Sequence, residues 1–207
     1  SRLVIKVEAK INSNKYDMAP SFADKKGKII YFSSSREESF GEARDLITGH
    51  KFMDIFMATY DNKGNTSDIK TVDKNGIVNT SQNEGSVCFD SKRKTMFFTR
   101  CPSPSNVSLG CDIWKVDVVG DEFENPIKLN LKSSDSISVG HPCISQDGSM
   151  LIFASDMVMN SKGVKSYGGK DLWYVLYDKK TKKWESVPNN MGPEFNTFAD
   201  ELFPSIG

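Results

Sequence analysis

Short apolar runs divided by polar turns dominate this chain, and they recur in a fixed order. The densest runs are Ile29-Ile30-Tyr31-Phe32, Met96-Phe97-Phe98 and Leu151-Ile152-Phe153. Their apolar residues are consecutive rather than alternating, which predicts strands buried on both faces. Ahead of each stands one short phrase: Met18-Ala19-Pro20-Ser21-Phe22, Gly85-Ser86-Val87-Cys88-Phe89 and Gly140-His141-Pro142-Cys143-Ile144. A fourth copy, Leu202-Phe203-Pro204-Ser205-Ile206, has no apolar run after it. Behind each run comes an Asp-apolar-aromatic triplet, Asp54-Ile55-Phe56, Asp112-Ile113-Trp114 and Asp171-Leu172-Trp173, and these recur 58 and then 59 residues apart.

A near-constant period of that length marks repeated supersecondary units that share a continuous core. Each unit resolves into four short strands. The phrase is the first, the apolar run the second, and the Asp triplet opens the third. A more polar fourth is expected near Asp68–Val72, Glu124–Leu129 and Trp184–Val187, as suits an outer edge. Turn residues such as Asp24-Lys25-Lys26-Gly27 and Asp147-Gly148 supply the hairpins between first and second strands. No window of a dozen residues carries helical spacing between caps. The expected fold is all-β, a β-propeller of four-stranded antiparallel blades. The blade units are expected at about 17–73, 85–130 and 140–188, with a strand of a preceding blade at 2–9 and the start of another at 201–207. Three blades cannot close a ring, since propellers use about four to eight. The ring is therefore expected to be incomplete here, with the remaining blades supplied elsewhere.

Composition narrows function mainly by exclusion. Lys+Arg and Asp+Glu both number 27, so there is no net field to attract nucleic acid or anionic lipid. No apolar run reaches the roughly 18 residues of a membrane span, and direct membrane insertion is not expected. Of the four cysteines, Cys101 and Cys111 flank one loop between neighbouring predicted strands and are the candidate disulfide, which implies an oxidising compartment. Cys88 and Cys143 occupy the repeat position of Ser21 and Ser205 and are expected to stay reduced as small strand residues.

Repeated carboxylates can serve as metal ligands, acids or turn braces. Asp54, Asp112 and Asp171 each precede an aromatic strand, one per unit, so they are read as structural braces rather than parts of one catalytic centre. The two histidines, His50 and His141, lack metal-ligand spacing, and His141 is expected at the wall of the central channel. No metal site, cofactor or catalytic residue is expected. Gly168-Gly169-Lys170 lacks the phosphate-loop pattern and reads as a flexible turn. Acids for sugar chemistry, among them Glu37, Glu38, Asp121, Glu122, Glu194 and Glu201, cannot be paired from sequence. Asn65, Asn79 and Asn106 match the glycosylation pattern by virtue of Asn-rich turns. The longest departures from the repeat, 37–52, 102–110 and 157–170, are the expected recognition loops. Phe40, Leu46, Phe52, Leu109, Tyr167 and His141 are the candidate partner contacts.

The Pro20-Ser21-Phe22 phrase, the strand Ile30–Arg36 and the box Gly168-Gly169-Lys170-Asp171-Leu172-Trp173 resemble TolB-type WD40-like propeller repeats. The likeness is to those of Bacteroidetes OmpA-family envelope proteins. The spacers Ile11-Asn12-Ser13, Val78-Asn79-Thr80 and Phe195-Asn196-Thr197, and the ending Trp184 to Pro188-Asn189-Asn190-Met191-Gly192, fit the same family. Two departures stand out: the insertion 37–52 replaces a Gly-Gly loop, and Val87 replaces a proline. The resemblance covers essentially the whole chain. It implies a non-catalytic scaffold in the periplasm, associated with the outer membrane through parts of the protein outside this chain. Its partners would be envelope or secretion-system proteins, with peptidoglycan met only through another domain. A type IX (Por) secretion assembly is the implied setting; a glycan-binding or glycan-processing propeller is the alternative, and a plain spacer between domains the third reading.

Overall fold

The structure, a computed structural model, describes residues 10–24, 26–73, 75–102 and 109–206. The strand expected at 2–9 lies outside the described residues, as does the Asn106 sequence. Among the described residues, thirteen strands form three antiparallel sheets and there is no helix. The first sheet runs β1 (Asp17–Phe22), β2 (Ile29–Ser34), β3 (Asp54–Thr59), β4 (Lys70–Thr71). The second runs β5 (Asn83–Phe89), β6 (Thr95–Cys101), β7 (Asp112–Val119), β8 (Glu122–Lys128). The third orders β9 (Val139–Ile144), β10 (Met150–Ser155), β11 (Asp171–Asp178) and β12 (Lys183–Trp184), and β13 (Asn189–Asn190) also pairs with β11. These are propeller blades in sequential order.

The consecutive apolar runs are buried on both faces because each sheet is wedged against its neighbours. Tyr31, Phe97 and Ile152 are all buried. In β6, Met96 and Phe98 join Tyr31 and Ile55 of the first sheet in one core, while Phe97 turns the other way into a second core with Leu151, Phe153 and Trp173. One strand thus feeds two cores by the two-residue alternation of a strand. The fourth strands are short or broken by charge and Pro126, and β4 and β12 hold two residues each, which protects the outer edges.

Each inner strand carries a bulge that sequence reading did not anticipate. Ala19, Ser86 and His141 have φ of 51°, 50° and 54°, and the ladder slips at each of these places. In the first and third of these the signal was a proline inside a predicted strand, since proline is tolerated there at edges and bulges; the second has Val87 in its place. Phe203 repeats the conformation at φ 53°. Residues 201–206 nevertheless form no ladder with any described strand, although Phe203 packs on His141 of β9.

The alternation of strand direction sorts the connections. Tight turns between first and second strands lie at one end of every blade. The long connections between second and third strands, and those leading to the next blade, lie together at the other end.

Candidate functional site

Two surfaces qualify: the cavity where the four phrases meet, and the end of the molecule that gathers the long loops.

The cavity, of about 550 Å3, is walled by Pro20, Val87, Cys88, His141, Cys143 and Phe203 among others. Adjacent inner strands are joined through their bulges. Ser86 donates its N–H to the Ser33 hydroxyl at 3.1 Å, and His141 donates its N–H to the Thr99 hydroxyl at 2.9 Å. Gly85 and Gly140 make these approaches fit, since a Cβ on Gly85 would lie 2.6 Å from Ser33 Oγ and one on Gly140 would lie 3.0 Å from Thr99 Cγ2. Ala154 holds the equivalent place in β10, and Leu202 holds the glycine's place in the fourth phrase.

The His141 ring stacks on Phe203 with centroids 4.0 Å apart. Its Nδ1 is buried without a hydrogen-bond partner, and burial pushes the imidazole pKa down. Burial likewise raises the Cys88 and Cys143 thiols, so both are protonated, weak nucleophiles. Among the described residues, no group of three His, Cys, Asp or Glu is arranged to hold a metal ion.

The loop end is built on the repeated aspartates. Asp54 is fully buried and accepts the Phe40 N–H through Oδ2. Asp171, equally buried, accepts the Tyr167 N–H at 2.8 Å and the Asn190 amide at 2.7 Å. Both tie a long loop to its blade. Asp112 is only half-buried and pairs instead with Lys132 at 3.0 Å, whose Nζ also donates to the carbonyls of Gly110 and Cys111. Cys101 and Cys111 form a disulfide across the base of that second loop.

The Asn spacers have a clear role as amide clamps. Asn79 accepts from Ile55 N–H and donates to Ile55 C=O, both at 2.9 Å, and Asn196 does the same to Leu172 at 2.8 and 3.0 Å. The next residue, Thr80 or Thr197, donates its N–H and hydroxyl to Glu84 or Glu201. Ser13 does so to Asp17.

Of the candidate contacts, Phe40, Leu46, Leu109 and Tyr167 are exposed, and His141 lies in the cavity rather than on the loops. Phe52 is a correction: it is buried, 5% exposed. It stands two residues before Asp54, as Gly110 and Gly169 stand before Asp112 and Asp171, so the insertion ends in a core anchor. Gly168-Gly169 is also not a flexible turn. A Cβ on Gly168 would fall 2.3 Å from the Phe198 backbone, and Gly169 and Lys170 donate their N–H groups to Ala199 and Asp200. His50 lies beside Tyr16, rings 5.2 Å apart. Asn79 is buried in its clamp and is no glycosylation acceptor, whereas Asn65 is exposed.

Sequence reading passed over the most exposed apolar groups of this end. Ile47 is 94% exposed beside Leu46 at 95%, both at a hairpin tip, and Phe198 is 91% exposed. Val158, Met159 and Val164 are exposed on the 157–170 loop. The available signal was an apolar pair inside the turn opened by Asp45, whose carboxylate accepts the Ile47 and Thr48 N–H groups.

No family model and no curated protein matches the chain. Among solved structures, it is similar to TolB from Acinetobacter baumannii, at 14% identity and a TM-score of 0.46, over 89% of this chain and 33% of that one. It is also similar to a Mycobacterium tuberculosis puromycin-hydrolyzing peptidase, at 12% identity and a TM-score of 0.45, over 88% of this chain and 22% of that one. The chain thus spans a third or less of the length of these solved chains.

Proposed function

We propose that this chain is a non-catalytic interaction scaffold whose long-loop end holds protein partners in a periplasmic envelope assembly. The observation that carries this reading is the gathering of Leu46, Ile47, Val158 and Phe198, each at least 74% exposed, on loops anchored to one rigid end of the blades. Rigidly based loops bearing large apolar tips suit recognition, because little ordering entropy is lost when a partner covers them. The phrase, spacer and Gly-Gly resemblances favour an OmpA-family envelope protein. Within that family the chain resembles the propeller of the type IX secretion lipoprotein PorE, and that resemblance favours partners from that secretion system. Association with the outer membrane would run through parts of the protein outside this chain.

The test is capture of envelope proteins by the purified chain and by variants Leu46→Glu/Ile47→Glu and Phe198→Glu. Loss of a specific partner with unchanged thermal melting supports the scaffold. A partner set unaltered by all three substitutions sinks it.

One observation favours a second reading, a glycan site in the cavity: the stacked His141 and Phe203 rings beside an unpaired Nδ1. Binding or turnover of envelope glycans that is lost in His141→Ala and kept in the loop variants would shift the assignment there.

A further inference from the structure

The hairpin that carries Leu46 and Ile47 is fixed to the first blade by a small set of contacts at its base. Phe40 donates its N–H to Asp54, the Ser39 hydroxyl donates to Ser34 C=O, and Lys51 Nζ donates to Ser39 C=O. Beyond the base, Arg44 and Lys51 form an isolated bridge, and Arg44 pairs with Glu37 on the surface. Asp54 is the one buried carboxylate among these groups. Its Oδ2 meets a single N–H, and its Oδ1 is buried with no hydrogen-bond partner. The equivalent Asp171 shares the unpartnered Oδ1 but has a second donor to Oδ2 in Asn190, and Asp112 has Lys132. Thr71 pairs with Phe56 where Asn190 pairs with Trp173, so the first blade lacks the amide that relieves Asp171.

The charges that face Asp54 do little to relieve it. Lys51 from the hairpin is favourable, but it is shared with Glu42 at 3.7 Å. Glu84 at the start of β5 and Asp73 after β4 are both unfavourable. Glu84 is itself paired with Arg100, and Asp73 accepts the Val78 N–H. A buried carboxylate with so few partners favours its neutral form.

We propose that Asp54 is a pH-sensitive latch on the 37–52 hairpin, closed when its carboxyl is protonated and loosened when the carboxylate must seek water. The sign follows from linkage. Burial first, with Glu84 and Asp73 adding, pushes the Asp54 pKa up to about 7 in the closed state, against an ordinary value near 3.8 once solvated. The closed state therefore binds the proton more tightly, and the closed-to-open ratio falls by as much as about tenfold per pH unit between those two values. At low pH the base is held most firmly; toward neutrality the hold of Asp54 weakens by that factor, while the Ser39 and Lys51 contacts still keep the hairpin on its blade. This rests on the proposed interaction role only for what the hairpin serves, since the latch itself is read without any partner.

The test is amide hydrogen exchange of the whole chain across about pH 5 to 7.5, corrected for intrinsic exchange. Phe40 protection should fall about tenfold or more in the native protein and by less than about twofold in Asp54→Asn, whose neutral amide keeps the acceptor. The Tyr167 amide, held by Asp171 in the third blade, is the internal reference. Parallel loss at Phe40 and Tyr167 means global unfolding and overturns the latch, as does an unchanged Phe40. Should Asp54→Asn fail to fold, carboxyl titration of the native protein decides alone. A midpoint above about 6 supports the latch, and one in the ordinary carboxylate range near 4 overturns it.

Discussion

The second and third blades meet the same packing problem at their loop ends with opposite chemistry. In the second, Arg100 lies over the rings of Phe98 and Trp114, at 5.3 and 4.5 Å, and pairs with the buried Glu84 at 2.8 Å. Its guanidinium also donates to the carbonyls of Ile77 and Val78. The first blade uses the same device, with Arg36 over Phe32 and Phe56 and paired with Asp17. In the third, Val139 stands where Glu84 does, and Met157 follows the second strand as Arg36 does in the first. Both are buried with Phe153 and Trp173 in one apolar cluster. One scaffold therefore accepts an ion pair or a hydrocarbon at this place, and the pair is not needed for the fold as such.

What the pair does impose is mutual dependence. Burial raises the Glu84 pKa, and the Thr80 donors and Arg100 only partly offset it. Arg100→Ala removes the counter-charge and should cost about 3–5 kcal/mol in urea unfolding. The double variant Glu84→Val/Arg100→Met, which puts the third blade's valine at 84 and a hydrocarbon like that of Met157 in the space of the guanidinium, although Ser155 is the residue in register with Arg100, should recover more than half of that loss. A double variant as unstable as Arg100→Ala would show that the two blades are not interchangeable solutions.

The next difference sits in the spacers. Asn79 and Asn196 clamp Ile55 and Leu172 in the first and third blades, whereas among the described residues of the second no such clamp is seen on Ile113, which packs with Leu129 and Leu131. Asn79→Ala strands a buried N–H and should cost about 2–3 kcal/mol, while the exposed Asn130→Ala should stay within about 0.5 kcal/mol. Matching thermal shifts for the two variants would remove the clamp as an explanation for the repeated asparagine.

Much of this comparison was legible from residues alone, for a physical reason. A strand buried on both faces must be continuously apolar, so β2, β6 and β10 announce themselves, and the Asp triplets mark their partners. The spacers were visible as a phrase, but not their bonds, because an asparagine that clamps a strand and one that makes a turn look alike in sequence. Phe52 was misplaced for a related reason: an aromatic in a long insertion reads as surface until the chain returns to the core. Gly168-Gly169 read as freedom, whereas the close approach of the Phe198 backbone makes it a steric requirement. The cavity's ring stack pairs His141 with a residue 62 positions away, and no local pattern encodes that.

The smallest expected effect tests the inner strands themselves. Ser33 and Thr99 receive an N–H from the next bulge, and Gly85 and Gly140 give them room; Ala154 offers no hydroxyl, and Leu202 stands in the glycine's place in the fourth phrase. Hydroxyl and glycine thus change together along the chain, as expected if each inner-strand junction is either hydrogen-bonded and close or apolar and wider. Thr99→Ala leaves the His141 N–H without its partner and should cost about 1 kcal/mol. Ala154→Ser alone should gain almost nothing, because the Cβ of Leu202 bars the close approach that Gly85 and Gly140 allow, whereas Ala154→Ser/Leu202→Gly should stabilise the third junction relative to Leu202→Gly alone. Additive melting shifts for Ala154→Ser and Leu202→Gly would mean that the two positions do not sense each other, and the junction rule would then be coincidence.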